Sequence, residues 1–171
     1  MIFTIGHSTR TIEDFVALLE VHGIRQLADV RTFPGSRRHP QFVKGTLDAF
    51  LGARGIHYRH FRDLGGFRKP RPGSVNTALR HESFRGYADH MQTEDFCRAL
   101  ADLVQFSEAA PTAIMCAEAV WWHCHRRLLA DILLVRGVPV RHILSAAEPK
   151  PHQLSEFARQ TPNGVIYPGL L

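Results

Sequence analysis

The chain is poor in the features that stabilise or export small proteins. It has three cysteines, at positions 97, 116 and 124. That is an odd number with no paired spacing, which argues against a disulfide framework and fits a reducing, cytoplasmic compartment. No apolar run approaches the ~18 residues of a membrane span, so no membrane association is expected. Met1 to Gly6 carries no basic n-region and no cleavage site, and does not read as a signal peptide. Neither Gly-x-x-x-x-Gly-Lys nor Gly-x-Gly-x-x-Gly occurs, so the usual nucleotide fingerprints are missing. A cysteine cradle closed by an arginine six positions on is also missing, since those positions hold Leu103, Trp122 and Ala130. There are no repeats and no low-complexity tract.

What is present suits one domain over residues 1–171, with 44% hydrophobic residues. A chain of this size buries roughly 70% of its unfolded surface, enough for a core without cross-links. Net charge is +5 and the pI is 9.6. Eleven of the 21 Lys and Arg lie between Arg25 and Arg71, against three acids, Asp29, Asp48 and Asp63. Phe33, Phe42, Phe50, Tyr58, Phe61 and Phe67 are interleaved with them. The mixture suits phosphate contact with base stacking, and equally suits a solvated basic face over core aromatics.

The periodicity predicts alternating strands and helices. Phe3–Ile5, Leu27–Val30, His57–Phe61, Thr112–Cys116 and Val140–Leu144 read as five strands. Thr11 caps a helix with Asp14 at its third position, and Gly23 ends it. Further helices are expected over Val43–Arg54, near Phe84–Met91, over Glu94–Ser107 behind Thr93, and from about Cys124 to Arg136. Residues 62–77 form a long basic loop, and residues 150–171 a weakly patterned tail. The core spans about 2–145. This order predicts a three-layer α/β domain, with a mainly parallel sheet and helices on both faces.

Ligands bind beyond the C-terminal strand ends of such sheets. The five strands deliver His7 and Ser8, Asp29 and Arg31, His60 and Arg62, Cys116 and Glu118, and His142 and Ser145 to that edge. Cys116, where a strand opens into a loop, and Cys124, at a helix start, are settings that can make a thiolate, although a buried cysteine is more often a small hydrophobe. Glu118 can serve as acid or base. His123, His125, Arg126 and Arg127 crowd one helix N-terminus, which is unfavourable unless an anion docks there. Trp121 and Trp122 either stack on a planar ligand or cover the sheet edge. A zinc site could draw on Cys116, His123, Cys124 and His125. Three consecutive residues on one helix turn cannot all face one ion, so no metal and no cofactor are expected.

The motifs Thr4-Ile5-Gly6-His7-Ser8, Asp29-Val30-Arg31 with Pro34, Leu64-Gly65-Gly66, Cys116-Ala117-Glu118, Cys124-His125-Arg126 and His142-Ile143 occur in order across residues 2–144. They resemble the domain of unknown function 488 family. The resemblance implies that His7, Asp29, Arg31, Cys116, Glu118, Cys124, His125 and Arg126 are signature positions. It implies no activity, because the family was defined without one. Ala119 to His123, with two tryptophans, departs from a more polar linker.

The leading expectation is an enzyme or ligand-binding domain for an anionic substrate, most readily a nucleotide or nucleic acid. Ser8, Arg31, His125 and Arg126, with Arg68, Lys69 and Arg71 of the loop, would hold phosphate, and Trp121 would stack. Asp29 or Glu118 would act as acid or base, with His7 nearby. A base-excision hydrolysis fits this set, since a carboxylate can activate water while aromatics hold an extruded base. The alternatives are thiol chemistry on a small molecule, with Cys116 or Cys124 as nucleophile, and a nucleic-acid-binding module without catalysis.

Overall fold

The computed structural model describes residues 1–169. Among them a six-stranded sheet is formed by β1 (Ile2–Gly6), β2 (Gln26–Asp29), β3 (His57–His60), β4 (Thr112–Cys116), β5 (Val140–His142) and β6 (Lys150–Pro151). The strand order is β3-β2-β4-β1-β5-β6. The first five pair in parallel, and β6 runs antiparallel to β5. The helices are α1 (Ile12–Val21), α2 (Lys44–Gly52), α3 (Glu82–His90), α4 (Glu94–Glu108) and α5 (Arg126–Val135). No helix among the described residues is long and apolar enough to cross a membrane.

Alternation along the strands sorts the core onto two faces. Ile5, Leu27, Ala113 and Met115 pack with Phe15, Leu19, Leu47 and Leu51 of α1 and α2. Ile2, Ala28 and Ile114 pack with Tyr87, Leu100, Leu103, Leu129 and Leu133 of α3, α4 and α5. The α/β class, with helices on both faces, follows. Local signals act as expected at the helix starts: the Thr11 side chain accepts from Asp14 N at 3.0 Å, and that of Thr93 accepts from Phe96 N at 3.3 Å.

The tail is more ordered than its weak pattern suggests. It adds β6 and a hairpin of β7 (Arg159–Thr161) with β8 (Gly164–Ile166). The last two residues of the expected tail lie outside the described residues. Buried acids supply the missing signal. Asp131 of α5 accepts from His152 Nε2 at 2.9 Å, Ser155 N at 3.0 Å and Tyr167 OH at 2.8 Å. Asp89 of α3 organises the long loop in the same way, accepting from Arg71 N at 2.8 Å, Ser74 Oγ at 2.7 Å and Asn76 Nδ2 at 2.8 Å. The other end of Asn76 receives Tyr167 N at 2.8 Å, tying loop to tail.

The end of β1 meets the loop after β4 without a gap. A Cβ on Gly6 would lie 1.8 Å from the Glu118 carbonyl oxygen and 2.7 Å from its carbon. His7 N and Ser8 N donate to Cys116 O at 3.0 Å and Ala117 O at 2.9 Å beside it. Gly6→Ala must therefore separate two backbones. We expect it to cost about 3 kcal/mol, the upper end for overpacking, read as a lowered urea midpoint. A loss below about 1 kcal/mol would mean that the loop yields freely.

Candidate functional site

In the sheet, β2 continues through α2 toward the β3 edge, whereas β4 continues through α5 toward the β5 edge. The loops leaving these neighbouring strands therefore part, which is where open parallel sheets hold ligands. A cavity of about 880 Å³ lies there. Its floor carries Cys116, Cys124 and His125, and its rim includes Phe33, Phe67, Phe84 and Glu118. Phe33 and Phe67 are 68% and 85% exposed. Phe67 also takes a left-handed backbone, φ 58°, which bulky residues adopt only at a cost.

The floor is assembled by a change of backbone just before α5. A single 3₁₀ turn, Trp121–His123, ends at Cys124, which is extended at φ −128°, ψ 152°, and His125 then caps the helix. Residues 124 and 125 therefore do not share a helix turn, and both can face Cys116, while His123 is exposed on the rim. This corrects the geometric premise used against a metal site. The Sγ atoms of Cys116 and Cys124 and a ring nitrogen of His125 all lie within 4.8 Å of one another. His125 Nδ1 is 3.7 Å from Cys124 Sγ and 4.0 Å from Cys116 Sγ. His125 Nε2 donates to Val30 O at 3.1 Å, which leaves the lone pair of Nδ1 toward the sulfurs.

The two thiols are unequal. Burial opposes ionisation of Cys124, but the Cys116 thiol donating to it, with the Arg126 guanidinium alongside, holds its pKa well below the usual thiol value. Cys116 is pushed the other way, chiefly by that same hydrogen bond and then by burial. Arg126 is 1% exposed; its Nε donates to Cys124 Sγ at 3.4 Å, and its Nη2 donates to Glu118 O.

The other candidate residues fall into separate arrangements. Asp29 is fully buried and fully engaged. It accepts from Arg31 Nη2 at 2.6 Å, Arg31 Nε at 2.9 Å, the Arg31 backbone N at 3.0 Å and Tyr58 OH at 2.6 Å. Arg31 also donates to Phe42 O at 2.8 Å, and its Nη1 reaches His7 Nε2 at 3.4 Å. His7 gives Nδ1–H to Ser8 O at 2.9 Å and stacks on Phe42 at 4.2 Å between ring centroids. Burial is the main reason its pKa drops to about 4. Asp29, His7 and Arg31 thus form an internally satisfied group, of which Arg31 also borders the cavity. Ser8 takes φ 51° and joins the ends of β1 and β4 through its backbone.

Trp121 stacks on His142, 4.0 Å between ring centroids and 5° from parallel, outside the cavity lining. His142 belongs to a buried chain: Thr4 Oγ1 donates to His142 Nδ1 at 2.7 Å, His142 Nε2 donates to His152 Nδ1 at 3.0 Å, and His152 donates to Asp131. Arg68 is half-buried with Nε on Gly65 O at 3.1 Å, whereas Lys69 and Arg71 are exposed. Sequence reasoning missed Tyr58, which seals Asp29, and the exposed Phe33 and Phe67 as a rim. The available signal was the place of Tyr58 on β3, paired beside β2, and of Phe33 and Phe67 in the loops that leave β2 and β3, next to Thr32 and Gly66.

No curated protein and no solved structure matches the chain. The family model described as Domain of unknown function DUF488 covers residues 11–133, well over half of the sequence, and the chain belongs to that family.

Proposed function

We propose that this protein is an enzyme that takes a small, ring-bearing organic molecule into the cavity and brings it to the sulfur and imidazole groups on the floor. The observation that carries the reading is the cavity itself. Exposed phenylalanines at the rim offer faces for a planar ring, and the chemically competent groups lie together beneath them. A free nucleotide or nucleobase is one such ring. A phosphate site centred on Arg31 and Arg126 has less support, since both guanidinium groups are spent on internal partners. Glu118 is exposed on the rim and has room to act as acid or base.

A fluorescent anionic ring probe, 1-anilinonaphthalene-8-sulfonate, tests this directly. Saturable binding at one site is expected, displaced by the ligand class that fits. Phe33→Ala and Phe67→Ala should each weaken it roughly tenfold to a hundredfold, since stacking on one aromatic is worth about 1–3 kcal/mol. Melting temperature should hardly change, because both rings are exposed. Undiminished binding in both variants overturns the reading.

The nucleic-acid reading retains one specific support, the exposed Lys69 and Arg71 on the ordered loop. It requires oligonucleotide affinity that falls with salt, and a shallower salt slope when Arg68, Lys69 and Arg71 become alanine. Absence of oligonucleotide binding at low salt removes it.

A further inference from the structure

The floor of the cavity has a geometry that the ring-binding reading does not by itself require. We propose that Cys116 Sγ, Cys124 Sγ and His125 Nδ1 are three ligands of one Zn²⁺ ion, with the fourth position open to the cavity. This inference places a metal at the site of the reading above, and its test is built to fail separately.

The distances carry the argument. With Zn–S of about 2.3 Å and Zn–N of about 2.0–2.1 Å, a tetrahedron has S···N edges of about 3.6 Å and an S···S edge of about 3.8 Å. The imidazole Nδ1 stands 3.7 Å and 4.0 Å from the two sulfurs. Both S···N edges therefore lie within a few tenths of an ångström of the tetrahedral value, and the two sulfurs lie within 4.8 Å of each other. Two thiolates and one imidazole form a borderline-soft donor set that suits zinc, and a site with three protein ligands keeps a position for water or a substrate oxygen.

The surroundings hold each donor in place. The Val30 carbonyl takes the Nε2 proton of His125, fixing the tautomer that ligates through Nδ1. Zn²⁺ itself neutralises the two thiolates, and Arg126, buried with its Nε 3.4 Å from Cys124 Sγ, holds that sulfur in place by a further hydrogen bond. Gly66 faces the imidazole, and a Cβ there would come 3.0 Å from Nδ1, the atom that must stay clear. The third cysteine, Cys97, lies on α4 away from the cluster and serves as an internal control.

The test uses the full chain, stripped with a chelator and titrated with Co²⁺ and then Zn²⁺. One equivalent of Co²⁺ should produce sulfur-to-cobalt charge-transfer absorption and tetrahedral d–d bands, both lost on adding Zn²⁺. Cys116→Ser, Cys124→Ser and His125→Gln should each weaken binding by more than the 10–100-fold typical of losing an outer-shell partner, and Cys97→Ser should not. Because a ligand variant can misfold, thiol counting on the unmutated protein provides a second measure: in mild denaturant that lets all three cysteines of the stripped protein react, Zn²⁺ should protect two of them from alkylation, leaving Cys97. Absence of the cobalt bands together with unprotected thiols overturns the metal site. If the ring probe still binds under those conditions, the cavity reading stands, with the Cys124 thiolate as its free reacting group. If zinc binds and the ring probe does not, the cavity reading falls and the metal site stands.

Discussion

Asp29→Ala should cost about 3–5 kcal/mol of stability, the usual consequence of removing one partner from a buried ion pair. The carboxylate accepts from the Arg31 side chain and backbone and from Tyr58, and it has no exposed surface. Its loss strands a guanidinium that is 6% exposed and a phenol with no other acceptor. A domain of typical stability, about 5–15 kcal/mol, would be left marginal or unfolded at 37 °C. Urea unfolding followed by circular dichroism gives the number. The double variant Asp29→Ala, Arg31→Leu should recover much of the loss, because the uncompensated charge goes with it. A single-variant loss under about 1 kcal/mol, or no recovery in the double variant, would contradict a structural role and return Asp29 to the list of reacting groups.

The protein should also lose stability steeply in mild acid. His7 and His142 are buried and neutral, with pKa values lowered to about 4 and about 3, mainly by burial. Neighbouring charges add to this, Arg31 beside His7 and Arg126 beside His142. Both titrate near 6.5 in an unfolded chain. Between pH 6.5 and 4 the unfolded state therefore binds protons that the native state refuses, so stability falls as pH falls. The slope is about 1.4 kcal/mol per pH unit for each group, and by pH 4 the sum is roughly 6 kcal/mol. Above pH 6.5 neither group contributes a slope. Urea midpoints from pH 7.5 to 4 should show a plateau and then a fall, and His7→Gln should flatten the fall by about half. A flat profile down to pH 4.5 would refute buried neutral histidines at these positions.

Much of the fold was legible because its local signals agree. Thr11, Thr93, Gly23 and Gly137 bracket helices whose apolar spacing is clear, and each strand is a short run ending in polar residues. The tail was opaque because β6 to β8 are two or three residues long and are held by distant groups, Asp131 and Asn76, that carry no local mark. The strand-end rule pointed to Cys116 and Glu118 and the helix-start reading to Cys124 and His125, while the strand-end rule also gathered Asp29 and His7. It could not separate the two groups, since a carboxylate at a strand end reads the same whether it faces a ligand or an arginine two residues on. The co-facing of Cys124 and His125 depends on one extended residue between a 3₁₀ turn and a helix, a backbone detail invisible in composition.

The two walls of the cavity differ in how they are attached. The loop after β4 is pressed against Gly6 and bonded to β1, so it moves only with the sheet. On the opposite side, Thr32 Oγ1 donates to Gly66 O at 2.7 Å, and Gly65 sits so close that a Cβ there would overlap Thr32. The segments bearing Phe33 and Phe67 are thus bolted to each other one residue before each ring. On the ring-binding reading proposed above, any movement of one segment that admits a ligand would have to carry the other with it. The signature of this coupling is kinetic: weakening the Thr32 bolt would shorten the time a ligand stays bound far more than it would change the contacts made while it is there.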